Sequence, residues 1–337
     1  MSRHPGGQAP GYRRLPRTAA LAVLPAIALL LAACGSSGSS TSGGGSSGSS
    51  TSGGGSTASS ASNVGNGRSV TLGTKDFTEE FIVGALYQQA LQAKGYKVVY
   101  KPNIGATEVI DKALTSGQID AYPEYTGESA VTVGGINTTV TSAQQEYDLA
   151  KAFYAKRGQS MSAMTPFFDT DAIAVTKAYA DKYGLKTTAD LKKVPHFTLG
   201  ARPEFQGREQ GALGIQKDYG VKNFTFKSLA LGLQYQALDS GAVNAADVFT
   251  TDPQLASGKY AVLTDPKHIF GFQNIALVIN TKKLNELGGQ QFMNVINQVN
   301  ALLTTPAIIA MNKAVAIDKQ QPGDVAKAFL SANHVTS

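Results

Sequence analysis

The stretch Asp120-Ala121-Tyr122-Pro123-Glu124-Tyr125-Thr126-Gly127 places two carboxylates and two phenol rings within eight residues. Aromatic faces and nearby carboxylates attract positive charge without reacting with it, so these residue types suit gripping a small cation more than transforming it. The preceding Ser116-Gly117-Gln118-Ile119 reads as a short strand running into this stretch and stopping at the Pro and Gly. Strand ends are where open α/β sheets hold ligands. Asp120 and Glu124 are also the pair that an acid/base enzyme would use. The rest of the chain speaks against that use. Its four histidines, His4, His196, His268 and His334, include no HxxxH pair, and no GxSxG nucleophile motif follows the linker. The expectation is therefore a binding protein, not an enzyme, with no cofactor and no metal.

What must position these groups begins far upstream. Residues 1–33 hold Arg3, Arg13, Arg14 and Arg17 with no acid, then an apolar run from Ala19 to Ala33 broken only by Pro25. A basic start, a short apolar core and small residues at its end make a signal peptide, and the run is short for a membrane span. Leu31-Ala32-Ala33-Cys34 resembles the bacterial lipobox, which makes Cys34 the lipidated first residue of the mature chain. As the single Cys, it leaves no partner for an internal disulfide and no Cys-based zinc site. Residues 36–45 and 46–55 are the same ten letters, SSGSSTSGGG, within a Gly/Ser-rich linker placed at 34–68. Such a tether spans on the order of 30 Å and can hold a folded part clear of a membrane. The chain has 30 Lys and Arg against 24 Asp and Glu; once the four leader arginines are set aside, the balance is nearly even. With no basic block after Cys34, nothing points to nucleic acid.

The folded part alternates strands and helices. Val70–Gly73 reads as a strand, followed by a helix from about Glu79 to Ala93 with Thr78 as N-cap, then a strand from Tyr96 to Tyr100 and a helix from about Glu108 to Ser116. Gly105-Ala106-Thr107 either caps that helix or offers its N–H groups to an anion. This order calls for a mostly parallel sheet with right-handed crossovers. Residues 171–250 repeat the pattern as a second α/β unit inserted in the first, with strands near 169–176, 197–200, 224–226 and 245–249. Strands at 260–263 and 275–279 return the chain, and helices at 289–303, 306–318 and 323–332 close it. Two units crossed twice by the chain make a hinged clamp, whose ligand contacts should come from widely separated turns. Aromatic residues stand in such turns: Phe77, Tyr122, Tyr125, Phe205 and Phe249. Tyr235, on a helix, reads as core.

From Val70 to Leu330 the sequence resembles the extracytoplasmic substrate-binding proteins of ABC importers for quaternary amines such as glycine betaine, choline and carnitine. The matching stretches are TKDFTEE (74–80), NIGAT (103–107), GQIDAYPEYTG (117–127), DKYGLKTTADL (181–191), ARPEF (201–205) and VFTTD (248–252), and LTDPKHIFGFQNIALVIN (263–280) looks like the ProX-type branch. The resemblance implies an α/β fold, periplasmic-binding-protein-like type II: two lobes with mixed sheets joined by a two-strand hinge. Lobe 1 would comprise 69–170 with 262–337, and lobe 2 the inserted 171–261. It also implies an aromatic box for a trimethylammonium head, with Tyr122 foremost and Phe77, Thr78, Asp120, Tyr125, Phe205 and Phe249 contributing. Phe at three of the four main box positions keeps a π face but drops the hydroxyl, which bears on the choice of ligand. The implied partners are an ABC permease and ATPase, and the implied location is the outer face of the cell membrane, held by a lipid anchor. The alternatives are a different small solute in the same clamp, or a ligand sensor.

Overall fold

Alternate residues of the strand Ile275–Asn280 go to opposite layers: Ile275, Leu277 and Ile279 join one apolar cluster, Ala276 and Val278 another. A strand buried on both faces needs helices on both faces, and that requirement sets the architecture. The computed structural model describes residues 63–336 apart from 137 and 139; the leader, Cys34 and most of the linker lie outside the described residues.

The strands are β1 (Ser69–Gly73), β2 (Lys97–Lys101), β3 (Ala121–Tyr125), β4 (Gln159–Met161), β5 (Asp171–Thr176), β6 (Phe197–Ala201), β7 (Phe224–Ser228), β8 (Ala245–Phe249), β9 (Tyr260–Leu263) and β10 (Ile275–Asn280). They form two five-stranded sheets, ordered β2-β1-β3-β10-β4 and β7-β6-β8-β5-β9. In each, one strand runs against the other four: β10 is antiparallel to β3 and β4, and β5 to β8 and β9. The first sheet packs Val70, Leu72 and Leu277 against the helices Thr78–Ala93, Gln290–Leu302 and Pro322–Ala332. Its other face packs Tyr122 and Val278 against the helices Thr107–Thr115 and Ala143–Lys156. Each fully buried Leu, Ile or Val here contributes roughly 1.5–3 kcal/mol, so the layers are held mainly by this alternation.

The chain passes between the halves twice. The two connecting segments run side by side, bridged between Phe168 and Asn274 and by the Asp169 N–H donating to the Gln273 carbonyl at 3.0 Å. Two boundaries differ from expectation. Val262 and Leu263 pair with Ala174 and Ile173 of β5, so the second sheet extends beyond residue 261 to Leu263. At the other end, Gly65 and Gly67 N–H groups donate to Lys94 and Gly95 carbonyls, and Val64 packs on the first core, so ordered packing starts ahead of residue 69.

The stretch around Tyr122 also differs. Residues 121–125 are not the end of a strand but β3 itself, every one of them buried. Pro123 is tolerated because the β1 ladder reaches β3 only at Ala121, leaving that side of the strand without a neighbour further on.

Candidate ligand site

A cavity of about 60 Å³ lies between the two halves, with room for about four or five water-sized groups. Its walls come from the carboxyl ends of the parallel strands of both sheets, the place where open α/β sheets bind ligands. Lys75 and Phe77 follow β1, Tyr125 ends β3, Arg202 follows β6 and Phe249 ends β8. Asp171 starts the antiparallel β5 directly opposite Phe249. A larger groove of about 510 Å³ runs past Glu146, Gln210 and His268, but no Phe or Tyr lines it among the described residues.

Three rings form a row along the cavity. Phe77 lies 5.9 Å from Tyr125, tilted by 30°, and is stacked on Phe249 at 5.4 Å and 21°. Phe77 belongs to the first half and Phe249 to the second, so this stack exists only while the halves are closed on each other. Ion pairs cross the same gap: Arg208 donates to Glu108 at 2.9 Å and to Glu128 at 3.1 Å. Thr251 Oγ1 of the second half donates to Glu79 Oε2 of the first at 2.7 Å.

The cations in the wall are already paired. Arg202 donates to both oxygens of Asp171, at 2.6 and 2.8 Å, and to Asp247 at 2.7 Å. It also lies over Phe249 at 5.4 Å and Phe205 at 5.6 Å. Lys75 pairs with the buried Glu124 and sits 4.7 Å above the Tyr125 ring. Burial alone would raise the Glu128 carboxyl, but Arg208, Lys75 and Arg202 outweigh it and hold the group below the ordinary range, so it is ionised. Asp169 is pushed well above the ordinary aspartate range, first by burial and then by the neighbouring Glu79. Five acidic side chains line the cavity against three basic ones, and acids stay in excess even with Asp169 protonated. The arrangement attracts a compact cation and offers it ring faces.

Of the residues expected at the site, Phe77, Tyr125 and Phe249 come together here. Tyr122 does not. Strand residues three apart point to opposite faces, so Tyr122 and Tyr125 of β3 cannot both reach one cavity. Tyr122 is fully buried in the core on the far side of the sheet, its hydroxyl 3.1 Å from that of Tyr154. Phe205 is likewise corrected: the turn Pro203–Gly207 folds it into the core of the second half against Phe270, where it backs Arg202. Asp120 Oδ2 accepts the Thr71 N–H at 2.7 Å and lies off the cavity. Thr78 is the first residue of its helix and not the cap, which is Phe77; it lines a neighbouring cavity instead. Ala106 and Thr107 do line the site, where the Thr107 hydroxyl hydrogen-bonds the chain's own Glu128. Tyr235 is buried, its hydroxyl donating to Asp252 at 2.8 Å. Arg202, Arg208, Asp171, Glu128 and Gln273 were not foreseen. Arg202 stands inside the ARPEF stretch, and its charge, beside the ring of Phe205, is the signal in the sequence that marks it.

Comparisons with known proteins bear on the family and the fold. The family model described as the substrate binding domain of the ABC-type glycine betaine transport system matches residues 68–332. A glycine-betaine-binding protein of Pseudomonas aeruginosa is 30% identical over 280 residues, covering 79% of this chain and 88% of that protein. An ergothioneine transport permease/ergothioneine binding protein of Helicobacter pylori is 28% identical over 268 residues, 78% of this chain but 47% of that longer one. The solved structure of a glycine betaine/carnitine/choline ABC transporter protein superposes with a TM-score of 0.64 over 80% of this chain and 99% of that one. At 23% identity this likeness shows the fold, type II periplasmic-binding-protein-like. The chain belongs to the family of substrate-binding domains of ABC-type glycine betaine transport systems.

Proposed function

We propose that this protein captures a quaternary-ammonium solute between its two halves, with the head group against Tyr125, Phe77 and Phe249, and presents it to a membrane permease. The observation behind the reading is that row of rings along a small cavity whose acids outnumber its bases. A ring face within about 6 Å of a desolvated cation contributes roughly 0.5–2 kcal/mol, and a trimethylammonium head gives up little hydration to enter. The solute shifts the hinge equilibrium because it touches both halves only when they are closed.

Substrate-binding domains of this family bind small molecules and work with an ABC permease and ATPase, and the family is not a class of enzymes. The finer placement is part of the proposal: Cys34 carries lipid, and the Gly/Ser-rich tether lets the clamp reach the permease from the outer membrane face. A thermal-shift panel of choline, glycine betaine, carnitine and proline betaine tests the ligand class. A solute at 100 times its Kd adds about 2.7 kcal/mol of stability. A clear upward shift with at least one supports the reading, and no shift with any of them removes the quaternary-amine claim.

A further inference from the structure

Beside the head-group cavity lies a second one of about 170 Å³, also between the halves. The two share Asp76, Phe77, Asp169, Leu231 and Phe249 as walls, so the ring stack stands between them. The second has acidic side chains in its wall, with Glu79, Asp169 and Asp252 among them, and no basic one among the described residues. A further acceptor is unfilled there. Asn312 is 5% exposed, and its Nδ2 donates to Glu79 at 2.8 Å and to Thr251 Oγ1 at 3.2 Å, which fixes the amide orientation and leaves Oδ1 without a hydrogen bond. Gln254 Oε1, in the same wall, is also buried without a donor. Buried acceptors left unpaired are costly, and what completes them is a donor.

We infer that the second cavity is a subsite for the far end of the solute and selects an end that donates hydrogen bonds, a hydroxyl, an ammonium or a ring N–H, over a carboxylate. The inference rests on the reading of the first cavity as the head-group site. It gains force there too: Lys75, Arg202 and Arg208, the basic residues of the first cavity, are each paired with a carboxylate of the chain, so a solute carboxylate has to compete for them.

Isothermal titration with four probes tests it: tetramethylammonium (head alone), choline (hydroxyl end), 3-aminopropyl-trimethylammonium (ammonium end) and glycine betaine (carboxylate end). Choline and the amine should bind at least about threefold tighter than tetramethylammonium, and glycine betaine about tenfold weaker than choline. Gln254→Leu and Asn312→Leu should erase the advantage of the donor ends, and Gln254→Leu should leave tetramethylammonium binding unchanged. Among the described residues the Gln254 side chain makes no hydrogen bond, so Gln254→Leu removes none and serves if Asn312→Leu fails to fold. Glycine betaine binding as tightly as choline, or a donor advantage that survives Gln254→Leu, overturns the subsite. Failure of tetramethylammonium and all the others to bind overturns the head-group reading itself, a result that cannot be confused with the first.

Discussion

Truncating Phe249 to alanine separates the ring row from the rest of the fold. The Phe249 ring faces both cavities, stacks on Phe77 at 5.4 Å across the closing gap and lies under the Arg202 guanidinium at 5.4 Å. Its loss removes a cation-facing ring, about 0.5–2 kcal/mol, and a ring pair formed only on closure, about 0.5–1.5 kcal/mol. Together these weaken binding by about 1–3.5 kcal/mol, or roughly 5- to 400-fold in Kd. The ring is only partly buried, so global stability should change far less. The companion variant is Tyr122→Phe. It deletes a hydroxyl that meets Tyr154 at 3.1 Å in a sealed core, at a cost of about 0.5–1.5 kcal/mol of stability and none of affinity. Titration calorimetry with choline and urea denaturation on both variants give the two readouts. If Phe249→Ala binds within twofold of the parent while Tyr122→Phe loses affinity, the assignment of faces on β3 is wrong.

Three more outcomes follow from the same structure. Arg208→Met removes the bridges to Glu108 and the buried Glu128; with Glu108 half exposed, the loss should be about 1–3 kcal/mol, falling on closure, and solution scattering should show a more expanded ligand-free protein. The buried Glu80 carboxyl is pushed up to about 8, chiefly by burial, so the folded state holds a proton that the unfolded state releases near 4.5. Stability is then lost as pH rises from about 4.5 to about 8, at up to about 1.4 kcal/mol per pH unit; Glu80→Gln should melt progressively higher than the parent across that window, and a pH-independent gap would contradict this. Cys34→Ala should move the protein from the membrane fraction to the soluble one with ligand affinity unchanged, whereas continued retention would argue against lipidation.

Much of the architecture was legible because periodicity of apolar residues reports burial directly. The helix from 79 to 93, the strand at 245–249 and the final helices stand within a few residues of where the spacing puts them. The three-residue β4 was missed, since so short a segment has no period to detect. The site was half legible. Phe77 and Phe249 were found because a bulky ring in a polar turn is conspicuous, and the two tyrosines were found for the same reason. Which of them faces the ligand depends on where β3 begins, and reading Pro123 as a stop moved the strand upstream and hid the opposition of their faces. The charged wall was illegible for a different reason: Arg202, Asp171 and Asp247 are 31 and 45 residues apart in sequence and meet only when β5, β6 and β8 pair.

A crystal structure of the protein soaked with choline tests the central claim most directly. The quaternary nitrogen should lie within about 6 Å of the Phe77, Tyr125 and Phe249 ring centres, with the hydroxyl directed toward Asn312 and Gln254. Choline seated in the groove beside Glu146 and His268, or the three rings parted with nothing between the halves, would contradict it.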